Sequence, residues 1–374
     1  MKKLKLMTIL GTRPELIRLS EIIKAADCYF NHIVVHTGQN YDSRLNDIFY
    51  EDLGIRQPDY YLNVVGNNLG ETMGSIISKS YNIINELKPD AILILGDTNS
   101  ALSAISAKRL KVPIFHMEAG NRCFDQNLPE EINRRIVDHI SDVNLPYTEH
   151  ARRYLLSEGI SKQYIYVTGS PMKEVINVHI KKIEESKVLQ SLQLEKNKYI
   201  VLSAHREENI DNVNNFNSLM NAINALAELY QMPIIYSMHP RSKKYIEERK
   251  FKFHPLVKAM PPFNFTDYSS LMKNSYCVVS DSGTMPEEAA ISHFPGVSIR
   301  TSTERPEALE KGCCVMGGIK EDEIIQAVSM AVGMAKESDF GESVFDYEVE
   351  SVSKIVIRLI QSYTQIVNND IWRK

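Results

Sequence analysis

Leu6-Met7-Thr8-Ile9-Leu10 runs directly into Gly11-Thr12-Arg13-Pro14-Glu15. The first five residues are nearly all apolar and too few for a helix, so they read as a strand buried on both faces. Gly11 then allows a tight turn, and Pro14 suits the first turn of a helix. The same alternation recurs along the first half. Apolar runs at Leu6–Leu10, His32–Thr37, Ala91–Leu95, Val112–Met117 and Tyr164–Thr168 are separated by longer segments of helical spacing. In one of these, Leu69–Leu87, the residues Met73, Ile76, Ile77, Ile83, Ile84 and Leu87 recur near i, i+3, i+4 and i+7. Two-face-buried strands joined by helices predict a doubly wound parallel sheet in an α/β fold.

The pattern then restarts. Tyr199–Ser203, Pro233–Ser237, Tyr276–Val279 and Gly296–Ile299 read as strands, with Asn212–Tyr230 as a helix among them. Two Rossmann-like units follow, as expected for 374 residues when one domain holds roughly 150. Gly169-Ser170-Pro171 reads as the hinge, giving an N-terminal domain over 1–168 and a second over 169–348. Residues 183–197 are polar and charged, the pattern of a solvated helix and loop.

Composition excludes several classes. With 43% hydrophobic and 24% charged residues the chain is globular, neither disordered nor collagen-like. A net charge of −4 argues against a nucleic-acid binder, and no apolar run approaches the roughly 18 residues that span a bilayer. The start at Met1-Lys2-Lys3-Leu4 is too soon interrupted by Lys5 to be a signal peptide. Cys28, Cys123, Cys277, Cys313 and Cys314 show neither CxxC nor Cys/His ligand spacing, so no metal site or disulfide framework is expected and a reducing cytoplasm fits.

In such sheets ligands bind beyond the carboxyl ends of the strands, where this chain is unusually polar. Arg13 beside a helix start either joins an anion site or pairs with Glu15. The GxGxxG fingerprint is absent, which weakens a nicotinamide redox reading. Gly96-Asp97-Thr98, His116-Met117-Glu118-Ala119-Gly120 and Pro129-Glu130-Glu131, followed by Asn133-Arg134, bring three carboxylates to one sheet edge. Crowded carboxylates can act as acids or bases near neutral pH, although each one singly could cap a helix or form a salt bridge. Further on, His205-Arg206-Glu207-Glu208-Asn209 follows a strand, and His239-Pro240-Arg241 follows another. Ser280-Asp281-Ser282-Gly283-Thr284 followed by Glu287-Glu288 forms a strand, a turn whose N–H groups can hold phosphate, and a helix with acids for a ribose diol. Thr303-Glu304-Arg305 adds another polar turn.

Together these stretches resemble the non-hydrolysing UDP-N-acetylglucosamine 2-epimerase family. The matches are GTRPE at 11–15, TGQ at 37–39, GDT at 96–98, MEAG at 117–120, PEE at 129–131 with Asn133-Arg134, HREEN at 205–209, SDSG at 280–283 with Glu287-Glu288, and TERPE at 303–307. The resemblance implies a glycosyltransferase-B-like pair of Rossmann-like domains, a cleft that closes on the nucleotide-sugar, a homodimer, and a C-terminal helix within 349–374 that crosses back to the first domain. From the absent ligand clusters no metal and no cofactor, nicotinamide included, is expected. Carried over position by position, the resemblance places catalytic roles on Asp97, Glu118, Glu130 and His205. The UDP-sugar is then held by Arg13, Ser282, Gly283 and Glu288, with Arg134 near the sugar and Arg18 and Arg305 completing the set.

Four stretches depart from the family pattern. Arg18 replaces a common lysine, Gln39-Asn40-Tyr41-Asp42 replaces the usual continuation of TGQ at a second, regulatory site, and Asn121-Arg122-Cys123-Phe124 with Gly169-Ser170-Pro171-Met172 is similar to a branch serving surface polysaccharides. That branch converts UDP-N-acetyl-6-deoxy-L-talosamine to UDP-N-acetyl-L-fucosamine. The other readings are a UDP-GlcNAc/UDP-ManNAc 2-epimerase, a hydrolysing epimerase, a glycosyltransferase of the same fold and a nucleotide-sugar sensor.

Overall fold

The structure is a computed structural model that describes residues 3–38 and 43–374. Asn40, Tyr41 and Asp42, on which the reading of a second site turned, lie outside the described residues together with Gln39. The chain forms two compact units, Met1–Val178 with Phe345–Lys374, and His179–Val344.

The first unit is a six-stranded parallel sheet of β1 (Lys5–Leu10), β2 (Asn31–His36), β3 (Tyr60–Tyr61), β4 (Ala91–Leu95), β5 (Ile114–Met117) and β6 (Val143–Leu145), in the order β3-β2-β1-β4-β5-β6. The second has β7 (Ile200–Ser203), β8 (Ile234–Ser237), β9 (Val257–Met260), β10 (Cys277–Ser280), β11 (Gly296–Ser298) and β12 (Val315–Met316), again all parallel, in the order β12-β11-β10-β7-β8-β9. Counted from its own first strand, each sheet has one and the same order. In each, the first and fourth strands are neighbours at the centre, β1 beside β4 and β7 beside β10. There the connections leave in opposite directions and open a crevice at the strand ends.

The central strands are buried along nearly their whole length, as their apolar runs require; β4 is fully buried from Ala91 to Leu95. The helix Leu69–Leu87 starts where Asn68 caps it by accepting from Glu71 N at 2.9 Å, and it turns Ile76, Ile83 and Ile84 onto the sheet. In the second unit the Asn212 side chain caps Val213–Tyr230, which buries Phe216, Leu219, Met220, Ile223 and Leu226.

Tyr164–Thr168 does not form the expected strand. It follows a short 3₁₀ turn and touches β6 only through an isolated bridge at Ile165 and the bonds Tyr166 N to Asn144 O and Thr168 N to Pro146 O, both 3.0 Å. The place beside β5 is taken by β6, and Pro146 immediately after it has no N–H with which to continue a ladder. The edge strands β3, β9 and β12 are exposed or only half-buried, so they lack the apolar runs that announce the others.

Gly169-Ser170-Pro171 lies within the first unit, whose division from the second falls inside the helix Met172–Glu185. The returning segment packs onto this turn, with Ser170 N donating to Asp346 O at 3.2 Å. The helix Val352–Asp370 then lies along Arg13–Tyr29 with Val352, Val356, Ile360 and Val367 buried, one face at helical spacing. Gly169 has φ +81°, and a Cβ there would stand 2.6 Å from the Val349 side chain and 3.0 Å from Asp346 O. Gly169→Ala is therefore expected to destabilise the chain by about 2–4 kcal/mol through strain and overpacking, measured as a lowered urea midpoint at unchanged slope.

Candidate active site

In the first unit the loop after β1 is drawn together by Glu15. Its carboxylate accepts from Gly11 N (3.1 Å), Thr12 Oγ1 (2.7 Å) and, from the loop after β4, Thr98 Oγ1 (3.2 Å). Glu15 is thereby engaged by its own turn and by the neighbouring strand end, not by Arg13. The Arg13 guanidinium lies 5.6 Å from the Phe49 ring centre, at the start of the helix Arg13–Tyr29. Burial pushes the Glu15 carboxyl up to about 7 against the lowering effect of these hydrogen bonds.

Asp97 follows β4 and Glu118 follows β5, and each meets an arginine. Arg134 Nε donates to Asp97 Oδ2 at 2.9 Å with a second, shorter contact from Nη2, while Arg18 Nη1 pairs with Glu118 Oε2. Gly96, between the end of β4 and Asp97, lies against Glu118, with only 3.3 Å left between its would-be Cβ and Glu118 Oε2. Glu130 stands half-buried in the first turn of the helix Pro129–Ile140, four residues before Arg134 and so on the same helical face.

Glu118 has φ +62°, a left-handed backbone that a residue with a Cβ adopts at a cost of order 1 kcal/mol. Buried polar groups hold it there. His116 places Nε2 2.8 Å from Gly96 O and Nδ1 2.9 Å from Asp138 Oδ1. Asp138 Oδ2 accepts from Arg122 Nη1 at 2.7 Å and from Gly120 N at 3.1 Å. Burial raises the Asp138 carboxyl, but the bonds with His116 and Arg122 outweigh it and leave the group below its ordinary range. Arg122 also reaches Glu158, through Nη2 at 2.6 Å. Glu131, fully buried, accepts from Arg134 Nη1 at 2.9 Å and from Cys123 N at 3.2 Å. Sequence reading overlooked Glu15, His116, Glu131 and Asp138 because a buried polar residue looks like an exposed one in a string. The available signal was i, i+3 and i+4 spacing along 129–140: Glu131 to Arg134, then Arg134 to Asp138.

The second unit repeats the arrangement at β7 and β10. Asp281, whose side chain is fully buried, accepts through Oδ2 from His205 N (2.8 Å), Arg206 N (2.9 Å) and Asn209 Nδ2 (3.2 Å), and Oδ1 stands 3.2 Å from His205 Nδ1. The His205 ring is 38% exposed and lies 5.6 Å from the His239 ring, so it stands beside a buried carboxylate yet is open to solvent. Ser282 and Gly283 form the turn before the helix Met285–Ser292, and Thr284 links Ser282 Oγ (3.0 Å) to Glu288 Oε2 (3.2 Å). A Cβ at Gly283 would be tight, 3.0 Å from Arg206 Nη2 and 3.2 Å from Glu304 Oε2, so these side-chain ends would have to give. Arg305 is buried, with Nε donating to Glu287 Oε2 at 3.2 Å. Arg300 and Arg206 both meet Glu304. Thus Asp97, Glu118, Arg18 and Arg134 gather in the first unit, and His205, Ser282, Gly283 and Glu288 at the strand ends of the second. Among the described residues no cluster of three or more His, Cys, Asp or Glu is arranged to hold a metal ion.

Doubly wound sheets that collect carboxylates, a histidine and a helix-capping Ser-Gly turn at their switch points define a two-unit α/β enzyme of the nucleotide-binding kind. The family model for UDP-N-acetylglucosamine 2-epimerase matches residues 23–361. The chain is similar to the structure of UDP-N-acetylglucosamine 2-epimerase from Rickettsia bellii, with 44% identity, all of both chains covered and a TM-score of 0.92. It is similar also to the Methanocaldococcus jannaschii UDP-GlcNAc 2-epimerase crystallised with UDP-GlcNAc and UDP, at 33% identity, 96% of this chain, 100% of that one and a TM-score of 0.90. A UDP-2,3-diacetamido-2,3-dideoxy-D-glucuronate 2-epimerase from Pseudomonas aeruginosa is 32% identical over 90% of this chain and 94% of its own. The chain belongs to the UDP-N-acetylglucosamine 2-epimerase family, a family of isomerases.

Glu15 carries a consequence for stability. A carboxyl of ordinary value 4.5 that keeps its proton to about 7 when folded leaves stability unaffected below pH 4.5, where both states are protonated. Between about pH 4.5 and 7 only the unfolded chain is ionised, and stability falls as pH rises, by about 3 kcal/mol in all. Glu15→Gln cannot ionise. Urea titrations at pH 5 and pH 8 should show this variant losing less stability over the interval than the wild type, and parallel curves would contradict the assignment.

Proposed function

We propose that the chain inverts carbon 2 of a UDP-N-acetylhexosamine by eliminating UDP and adding it back. The supporting observation is the pair of arginine-held carboxylates, Asp97 and Glu118, at adjacent strand ends beside the switch point of the first unit. Carbon 2 of such a sugar is not next to a carbonyl, so its proton is too weakly acidic for simple removal and return. UDP on carbon 1 provides the exit: a carboxylate takes the proton, the C–H electron pair forms the C1–C2 double bond, and the C1–O bond breaks toward the diphosphate. The product pair is UDP and a 2-acetamidoglycal. Protonation of carbon 2 on the other face with re-addition of UDP gives the epimer.

In this reading Asp97, Glu118 and Glu130 supply the groups that remove and return the proton. Arg13 at a helix start, the Ser282–Gly283 turn and His205 stabilise the departing diphosphate, and Glu288 accepts from the ribose. Asp281 orients His205 and fixes its tautomer, as a carboxylate does for a histidine that donates a proton.

For the sugar we infer the 6-deoxy-L series, with UDP-N-acetyl-6-deoxy-L-talosamine converted to UDP-N-acetyl-L-fucosamine. Support comes from Asn121-Arg122-Cys123-Phe124, shortly after Glu118, and from Gly169-Ser170-Pro171-Met172, where the chain leaves the family pattern. The second reading is a UDP-GlcNAc 2-epimerase, favoured by the names of the relatives from R. bellii and M. jannaschii. The P. aeruginosa relative, named for a diacetamido uronate, supports keeping carbon 2 constant while the rest of the sugar varies.

Proton NMR of each UDP-sugar incubated with the protein decides between them: kcat/KM should be higher for the talosamine, and a clear preference for UDP-GlcNAc would support the second reading. In heavy water the product should carry deuterium at carbon 2. Asp97→Asn, Glu118→Gln and Glu130→Gln should each cost on the order of 10²-fold or more in kcat with UDP affinity nearly unchanged, whereas Glu288→Gln or Arg13→Ala should weaken UDP binding. Near-normal rates in all three amide variants with no deuterium exchange would refute the elimination.

A further inference from the structure

Two of the departures from the family pattern meet on one carboxylate. Arg18 Nη1 pairs with Glu118 Oε2, and Asn121 Nδ2 donates to Glu118 Oε1 at 3.1 Å. All three side chains are sequestered, with Arg18 5% and Asn121 6% exposed and the Glu118 side chain 10%. Gly96 packs against Oε2 so closely that no Cβ would fit comfortably. The Asn121 backbone is itself pinned, because Arg122 Nη1 donates to Asn121 O at 2.7 Å while holding Asp138. Arg18 and Asn121 both present donors to the carboxylate, the arrangement that suits an acceptor-only, ionised carboxylate. The same residues work against a mobile one, since rotation of the carboxylate would break two hydrogen bonds in a site with little water to replace them.

We propose that Asn121 is a positioning residue for the reaction, holding the second oxygen of Glu118 so that this carboxylate faces carbon 2 in a single orientation, with Arg18 as its counterpart on the first oxygen. The proposal rests on the reading of Glu118 as a group acting at carbon 2. It gives the Asn121 departure a physical role, and it separates that role from Arg122, whose guanidinium is buried among Asp138 and Glu158.

Asn121→Leu removes the donor at similar volume, and Asn121→Asp replaces it with a second carboxylate. Kinetics over pH with whichever UDP-sugar the wild type turns over should show kcat falling on the order of 10-fold or more in Asn121→Leu, with KM and UDP affinity changed less than about twofold. The acid limb of kcat should move to higher pH in both variants, because the ionised form loses a donor in one and gains a like charge in the other. Combining Asn121→Leu with Arg18→Lys should give a loss in kcat that is not the product of the single losses, since both act through one carboxylate. Where Asn121→Leu fails to fold, the acid limb of Asn121→Asp carries the test. An unmoved acid limb, or losses tracking only thermal stability, overturns the proposal. Glu118→Gln keeps the two readings apart: a near-normal rate there removes the role of Glu118 itself, whereas a slow Glu118→Gln beside unaffected Asn121 variants removes only the role of Asn121.

Discussion

In each unit a buried carboxylate spans the join between the first and fourth strands of the sheet, and the ordered strand ends depend on it. Glu15 reaches from the turn after β1 to Thr98 after β4, and Asp281 reaches from the end of β10 to the backbone of His205 and Arg206 after β7. A switch point needs such a tie. The chains leaving it diverge, and the N–H groups just past the last ladder bond have no strand left to pair with. A carboxylate can accept from three or four donors at once, but taking it out of water is costly unless it does. Both of these carboxylates meet that condition, and each brings two loops into one fixed relation.

Around this frame the charges of the first unit are arranged in pairs. Asp97 with Arg134 and Glu118 with Arg18 leave no bare carboxylate in the low-dielectric strand ends, and Glu131 extends the Arg134 pair into the interior. Behind them, His116, Asp138 and Arg122 form a buried chain that reaches the backbone of Gly96 and Gly120 and ends outward at the half-buried Glu158. Its role follows from the backbone it holds. Glu118 occupies a left-handed conformation, and such a conformation persists where the surrounding contacts over-determine it. The backbone conformation at this strand end is therefore tied to the polar residues packed behind it.

The second unit solves a different problem with similar means. Here it is a turn at a helix start that must be fixed: Ser282 N donates to Ser280 Oγ at 3.0 Å and Thr284 N to Ser282 Oγ at 3.3 Å, just before the helix Met285–Ser292. Arg206, Arg300 and Arg305 crowd beneath it, yet each is matched by Glu304 or Glu287. They stiffen the turn from below, and the absence of a side chain at Gly283 lets them approach.

The α/β class, both parallel sheets, the capped helices at Leu69–Leu87 and Val213–Tyr230, and the family were legible in the string, because two-face burial leaves apolar runs and the loops that follow them carry short motifs. The same string gave no warning of β3, β9 and β12, whose residues are exposed or half-buried, nor of β6, three buried residues interrupted by Asn144, and it misread Tyr164–Thr168, where Pro146 ends the ladder. Residue identity was enough to single out Asp97, Glu118, Glu130 and His205. Which oxygen meets which donor was decided by tertiary structure alone: that Glu15 serves Thr98 instead of Arg13, that Arg305 lies buried on Glu287, and that Arg18 and Asn121, 103 residues apart, share Glu118. Periodicity is a local property and survives in one dimension, whereas the partner of a buried polar group is set by strand order, and strand order exists only once the sheet has closed around it.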